Sequence, residues 1–206
     1  MNELDRMFSS SESLAEFADK YLKYLGQVLQ KMDRSAIEKM GQAILGAREN
    51  SKKIIFLGNG GSAATASHFV NDIAIGTRSP HKPFKALALT DNVAIITAIG
   101  NDDGYDSIFT KQLEVHLETG DVVVAISASG NSPNVIKAVE FCKARGNTLI
   151  GITGFDGGAL KKLSDINVHV QTEKGEYGPV EDLHMVLDHL LVSYLIRIVT
   201  AEKAKL

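Results

Sequence analysis

The sequence predicts an α/β protein: a three-layer αβα sandwich around a five-stranded parallel sheet, with a helical extension at the N-terminus. Three observations predict it. Five short runs (KKIIFLG, FKALALT, DVVVAIS, NTLIGIT and INVHVQ) read as strands, and all but the last lack the polar alternation of a half-exposed sheet. Such runs are strands covered on both faces. Helical stretches separate them, and this alternation builds parallel sheets. No Pro- or Gly-rich linker interrupts the chain. A single domain is therefore expected over 1–206, with N-terminal helices over 1–48 and the core over 49–206.

Residues 1–12 read as a frayed, Ser-rich start. Leu14, Phe17, Tyr21, Leu25, Val28 and Met32 keep helical spacing, as do Ile37, Met40, Ile44 and Leu45. Asp33, Arg34 and Ser35 mark a break between two helices, with Ser35 as the expected N-cap. After the first strand, residues 63–75 read as helix. After the second, Asn92–Ile99 is a short helix and Asp106–Leu117 another. Pro133 near the start and Gly146 just past the end frame the helix after the third strand. Ala159–Leu163 is a short helix before the fifth strand, and Pro179–Lys203 is a long final one.

Composition narrows the function. The chain has 206 residues and a formal net charge of −3, which offers no footprint for a phosphate backbone, so no nucleic-acid partner is expected. One cysteine, Cys142, excludes an internal disulfide framework. The longest oily stretch, Val186 to Val199, is broken by Asp188, His189 and Arg197, so no membrane span is expected. The polar opening MNELDRMFSSSES lacks a signal-peptide core, which predicts a cytoplasmic protein.

Two loops at strand ends carry the chemistry. The first, Gly58-Asn59-Gly60-Gly61-Ser62-Ala63, follows a strand and opens a helix, where backbone N–H groups and the positive helix end attract anions. Gly58-x-Gly60-x-x-Ala63, with Asp91 after the next strand, also fits the glycine fingerprint of dinucleotide enzymes, a weak motif when alone. The second loop, Ser127-Ala128-Ser129-Gly130-Asn131-Ser132-Pro133, offers three hydroxyls between a strand and a helix. In a parallel sheet both loops lie at the carboxyl edge, where ligands bind. Together they suit a phosphate monoester held without arginine.

His68 and Asp72 stand four apart and share a helix face. Glu181 and His189 stand eight apart, on neighbouring faces two turns along the final helix. The four residue types suit a divalent transition metal such as zinc, or acid–base work. His184 and Asp188 add polar density to the same helix, where solvation or a subunit contact would also account for them.

The segments GNGGSAATASHF, SASGNSPNVIKA and EDLHMVLDH resemble the sugar isomerase (SIS) domain family, and most nearly its phosphoheptose isomerase branch. The likeness runs from about Asp33 to Ile198. It implies a flavodoxin-like sheet and a homotetramer with active sites at subunit contacts. It implies that Ser62, Ser127, Ser129 and Ser132 hold the sugar phosphate and that Asn59 touches the sugar. Gly60, Gly61, Asp91 and Glu181 complete the expected substrate site. It further implies Asp72 as general base, His189 as acid, and zinc on His68, Asp72, Glu181 and His189. The chain departs from the family pattern where Asp72 replaces a glutamate, Glu181 a glutamine and Gly178 an acidic residue. The added carboxylate of Glu181 strengthens a divalent site.

The expected reaction is aldose–ketose isomerisation of a sugar phosphate, sedoheptulose 7-phosphate, through an enediol. Asp72, or failing it Glu181, removes the proton. The rival readings are a non-catalytic SIS module that binds a sugar phosphate or a partner protein, and a dinucleotide enzyme. The apolar faces of the N-terminal and final helices call for burial against sister subunits.

Overall fold

In the computed structural model, which describes residues 1–79 and 81–204, five strands form one sheet. They are β1 (Lys53–Gly58), β2 (Lys85–Ala88), β3 (Val122–Ser127), β4 (Thr148–Gly154) and β5 (Ile166–Val170). All pairings are parallel, in the order β2-β1-β3-β4-β5. Side chains alternate between faces along each strand. Ile54, Phe56, Val122, Val124 and Ile126 therefore join one core, while Ile55, Leu57, Val123 and Ala125 join the other. Both faces are dry along β1, β3 and β4, which explains why these strands carry no polar alternation, whereas the edge strand β5 alternates.

The first core is closed by α2 (Leu14–Lys31), α3 (Arg34–Glu49), α4 (Gly61–Val70) and α9 (Tyr177–Lys203). The second is closed by α6 (Thr110–His116), α7 (Pro133–Ala144) and α8 (Gly158–Leu163), with α5 (Val93–Asp102) at its margin. Among the described residues α9 alone has the length and hydropathy to cross a membrane. Its Leu183, Leu187, Leu191 and Leu195 are buried in the core.

Four details differ from the expected elements. The start is not frayed: Glu3–Ser9 forms α1. Asn2 and Asp5 satisfy each other's backbone N–H in a reciprocal cap, a short-range signal that the serines around it obscured. Asp33, not Ser35, caps α3, its carboxylate accepting from the Ser35 N–H at 2.8 Å. The helix expected over 106–117 is split into a 3₁₀ turn at Tyr105–Ser107 and α6. After Val70 the backbone widens into a π-helix over Asn71–Gly76, a form that concentrates at functional sites.

The N-terminal segment is tied to the start of α9. The fully buried carboxylate of Glu176 accepts from the Glu3 N–H at 2.7 Å, the Tyr24 hydroxyl at 2.6 Å and the Glu173 N–H at 3.0 Å. Arg6 bridges Glu3 and Glu173. Three donors satisfy a charge that would otherwise oppose burial.

Candidate active site

Strand order places the site. From β1 the chain crosses to β2 on one side, and from β3 to β4 on the other. The crevice above the carboxyl ends of β1 and β3 is the switch point where such sheets bind ligands. The two loops expected to hold an anion leave these two strands. Gly60 takes φ +55°, a conformation that glycine adopts freely, and starts α4 without a side-chain cap. Gly130 takes φ +63°, and a Cβ there would lie 2.0 Å from the Gly157 carbonyl oxygen.

Asn59, Ser62, Ser127, Ser129 and Ser132 line one pocket of about 130 Å³, with Tyr177 and Glu181 at its far wall. Ser132 sits at the N-cap position of α7 but makes no side-chain cap bond, so its hydroxyl is left for a ligand; of the first helical N–H groups, Pro133 has none and that of Val135 donates to the Asn134 side chain at 2.9 Å, which leaves that of Asn134. Ser127 and Ser129 also shape the turn, accepting from the Gly130 N–H at 3.1 Å and the Asn131 N–H at 3.3 Å. The N-termini of α4 and α7 converge here. Positive helix ends and hydroxyls form an anion cradle, with the Glu181 carboxylate at its side against Gly61.

Sequence reasoning missed the brace beneath it. Asn59 and buried Asn134 exchange amide hydrogen bonds of 2.8 and 2.9 Å, and the Tyr105 hydroxyl donates to Asn59 at 3.0 Å. These bonds fix one loop to the other. Tyr177 is set edge-on against Phe155, with centroids 5.0 Å apart. Asp91, by contrast, lies beyond β2 beside Ser67 and Thr90, to which it is hydrogen-bonded, and is not among the residues lining the pocket.

A second centre lies further along α4 and α9. His68 Nε2 and His189 Nε2 are 3.2 Å apart. The Asp72 carboxylate is 3.4 Å from His68 Nε2, and the Asp188 carboxylate 3.7 Å. One ligand atom from each of the four lies within 4.8 Å of the others. Asp72 stands on the widened turn after Val70, with its other oxygen accepting from the Asn71 amide at 2.8 Å. His189 is exposed and His68 half-exposed, so the centre is open at its imidazole rim.

Asp188 is the unexpected member. It is 0% exposed, and neither of its oxygens has a hydrogen-bond partner. Burial, aided by the Asp72 charge, pushes its pKa up to about 7. His184, one turn earlier, is also fully buried; its Nε2 meets the Thr153 carbonyl at 3.3 Å, and burial pushes its pKa down to about 4. Both fall on the stripe that carries Leu187 and Leu191 into the core, so neither is solvated in this chain. A polar residue on an apolar helix stripe was the signal available in the sequence.

Of the expected metal set, His68, Asp72 and His189 come together and Glu181 does not. Eight residues separate it from His189, a rise of about 12 Å. Its carboxylate lies against Gly61, where a Cβ would be 2.2 Å from Oε2, and it faces the serine pocket. The residues present suit a divalent ion. Two nitrogens about 2.0–2.1 Å from a tetrahedral zinc stand about 3.3 Å from each other. The distances of 3.2, 3.4 and 3.7 Å measured from His68 Nε2 are close to that edge length.

The chain is similar throughout to proteins of known family. A model of the SIS domain matches residues 16–154. The phosphoheptose isomerase of Aliarcobacter butzleri is 35% identical over 172 residues, spanning 84% of this chain and 86% of that protein. The phosphoheptose isomerase of Aneurinibacillus thermoaerophilus is 37% identical, spanning 75% of this chain and 77% of its own. Among solved structures, that of phosphoheptose isomerase from Neisseria gonorrhoeae superposes with a TM-score of 0.76 at 34% identity, covering 88% of this chain and 95% of that one.

Proposed function

The chain belongs to the phosphoheptose isomerases of the SIS-domain family, and on that footing we propose that it interconverts sedoheptulose 7-phosphate and glycero-manno-heptose 7-phosphate. One observation carries the proposal: an anion cradle at the N-termini of α4 and α7 lies about two turns along α4 from an imidazole–carboxylate centre shared by α4 and α9. That separation suits an open-chain sugar whose phosphate and carbonyl lie at opposite ends.

Ser62, Ser127, Ser129 and Ser132, with the first N–H groups of α4 and the Asn134 N–H of α7, hold the phosphate. Asp72 accepts the proton from the carbon beside the carbonyl and returns it to the neighbouring carbon. His189 exchanges the hydroxyl protons. His68, Asp72, Asp188 and His189 are the residues that would hold zinc, which when bound supplies Lewis-acid polarisation of the carbonyl and its oxyanion. Glu181, the carboxylate beside the serine pocket, is the alternative base.

We further propose a cytoplasmic homotetramer. Leu29, Val186, Leu190 and Tyr194 are apolar side chains left exposed, and α3 and α9 border a groove of about 490 Å³. Such a surface favours burial between copies. Light scattering checks the assembly, and a monomer contradicts it. Turnover of sedoheptulose 7-phosphate, followed by NMR, tests the activity. Binding of the sugar phosphate with no interconversion, with or without added Zn²⁺, would leave only a binding module.

A further inference from the structure

We propose that Asp188, and not Glu181, supplies the second carboxylate of a divalent-metal site closed within one chain by His68, Asp72 and His189. The inference rests on the reading of this centre as a metal site and goes further, because it reassigns one ligand.

The orphaned carboxylate is the starting point. An ionised group out of water, with no donor on either oxygen, is strongly unfavourable. Yet Asp188 is held at 0% exposure beside a second carboxylate, Asp72. The polar groups around it are the two imidazoles and Asp72, and His68 Nε2 lies at 3.7 Å, too far for a hydrogen bond. A cation between the four relieves both carboxylates at once. Two carboxylates and two neutral imidazoles together carry the charge that a 2+ ion neutralises, and their N and O atoms are the donor set zinc takes. Asp188 approaches from the buried side while His68 and His189 stand at the open rim, so the protein closes one wall and leaves the other to substrate. Glu181 cannot join without leaving the serine pocket, two helical turns away.

The test uses metal binding to the full-length protein, with no substrate present. Chelator-stripped protein is titrated with Zn²⁺ alone. We expect one ion per chain, an affinity at least tenfold weaker in Asp188→Asn, and a change of less than twofold in Glu181→Gln. Contact is then read directly with Co²⁺: Asp188→Cys should give a thiolate-to-cobalt charge-transfer band in the near ultraviolet, and Glu181→Cys none. The native Cys142 is buried on α7 in the opposite core, so it contributes no background. That readout does not respond to a merely structural role, and it stands in for Asp188→Asn should that variant fold poorly. The proposal is overturned if the Glu181 variants carry the loss and the band, or if the unmutated protein takes up no Zn²⁺. Failure of the isomerase reading shows separately, as absent turnover by protein that binds the metal.

Discussion

The serine cradle and the imidazole–carboxylate centre share helix α4 but are built in opposite ways. The cradle comes from loops of six or seven consecutive residues, held by the strand ends beneath them and by the Asn59–Asn134 amide pair. Its donors are hydroxyls and backbone N–H groups, whose placement follows from local backbone geometry. The second centre joins residues about 120 positions apart, and it exists only because α4 and α9 pack against each other. A local device tolerates distant change, whereas a long-range one depends on the register of two helices. The contrast predicts that mutations in the cradle weaken substrate binding and mutations in the centre stop chemistry.

The sharpest way to break that contrast is at the centre. Asp72→Asn and His189→Ala should each lower kcat by about 100- to 10,000-fold, the usual worth of a placed acid or base. Circular dichroism and thermal melting should stay near those of the parent. Near-parental turnover by Asp72→Asn, with the large loss in Glu181→Gln instead, would move the base into the cradle and dissolve the division.

The next largest effects belong to the cradle. Ser129→Ala and Ser132→Ala each remove a hydrogen bond to a charged phosphate, worth about 1.5–3 kcal/mol. Each should cost about 10- to 100-fold in kcat/KM, mainly through KM, in steady-state kinetics. A loss confined to kcat would show that these hydroxyls serve the reacting carbons instead.

Smaller effects test the scaffold between the two. Gly130→Ala forces a Cβ onto the Gly157 carbonyl in a positive-φ position, and overpacking of this kind costs about 1–3 kcal/mol, measurable by urea denaturation. His184 tests the same scaffold through pH. It takes a proton near pH 6.5 when unfolded but only near pH 4 when folded, because burial opposes the charge. The unfolded chain therefore binds more protons across that window. Stability should be independent of this group above pH 6.5 and fall as the pH drops toward 4, by no more than about 1.4 kcal/mol per unit. NMR should find its imidazole still neutral at pH 5; a protonated ring there would mean that the core around it admits water.

Much of this architecture was legible in the sequence because both sheet faces are dry. Uninterrupted runs such as Val122–Ile126 are read as buried strands without knowing their neighbours. The glycine and serine loops were legible for the same local reason. The edges of elements were less so. The turn at Tyr105–Ser107 and the widened helix after Val70 depend on tertiary packing, which periodicity does not register. The metal-type centre was half legible. His68 and Asp72 are one turn apart and announce themselves, but the choice between Glu181 and Asp188 turns on which face of α9 meets α4. Glu181 looked the better partner because of its spacing from His189 and the family resemblance, whereas Asp188 was masked by the leucines around it.

The buried carboxylate of Glu176 gives the amino-terminal helix an influence beyond its own reach. That residue immediately precedes Tyr177 and stands five before Glu181, and it is anchored by Glu3 and Tyr24. Trimming the first nine residues would strip one of its three donors and loosen the ramp from which the last helix departs. A truncation that touches no ligand-lining group would then blur the cradle's far wall, so tags and deletions at this end are edits to the catalytic cleft.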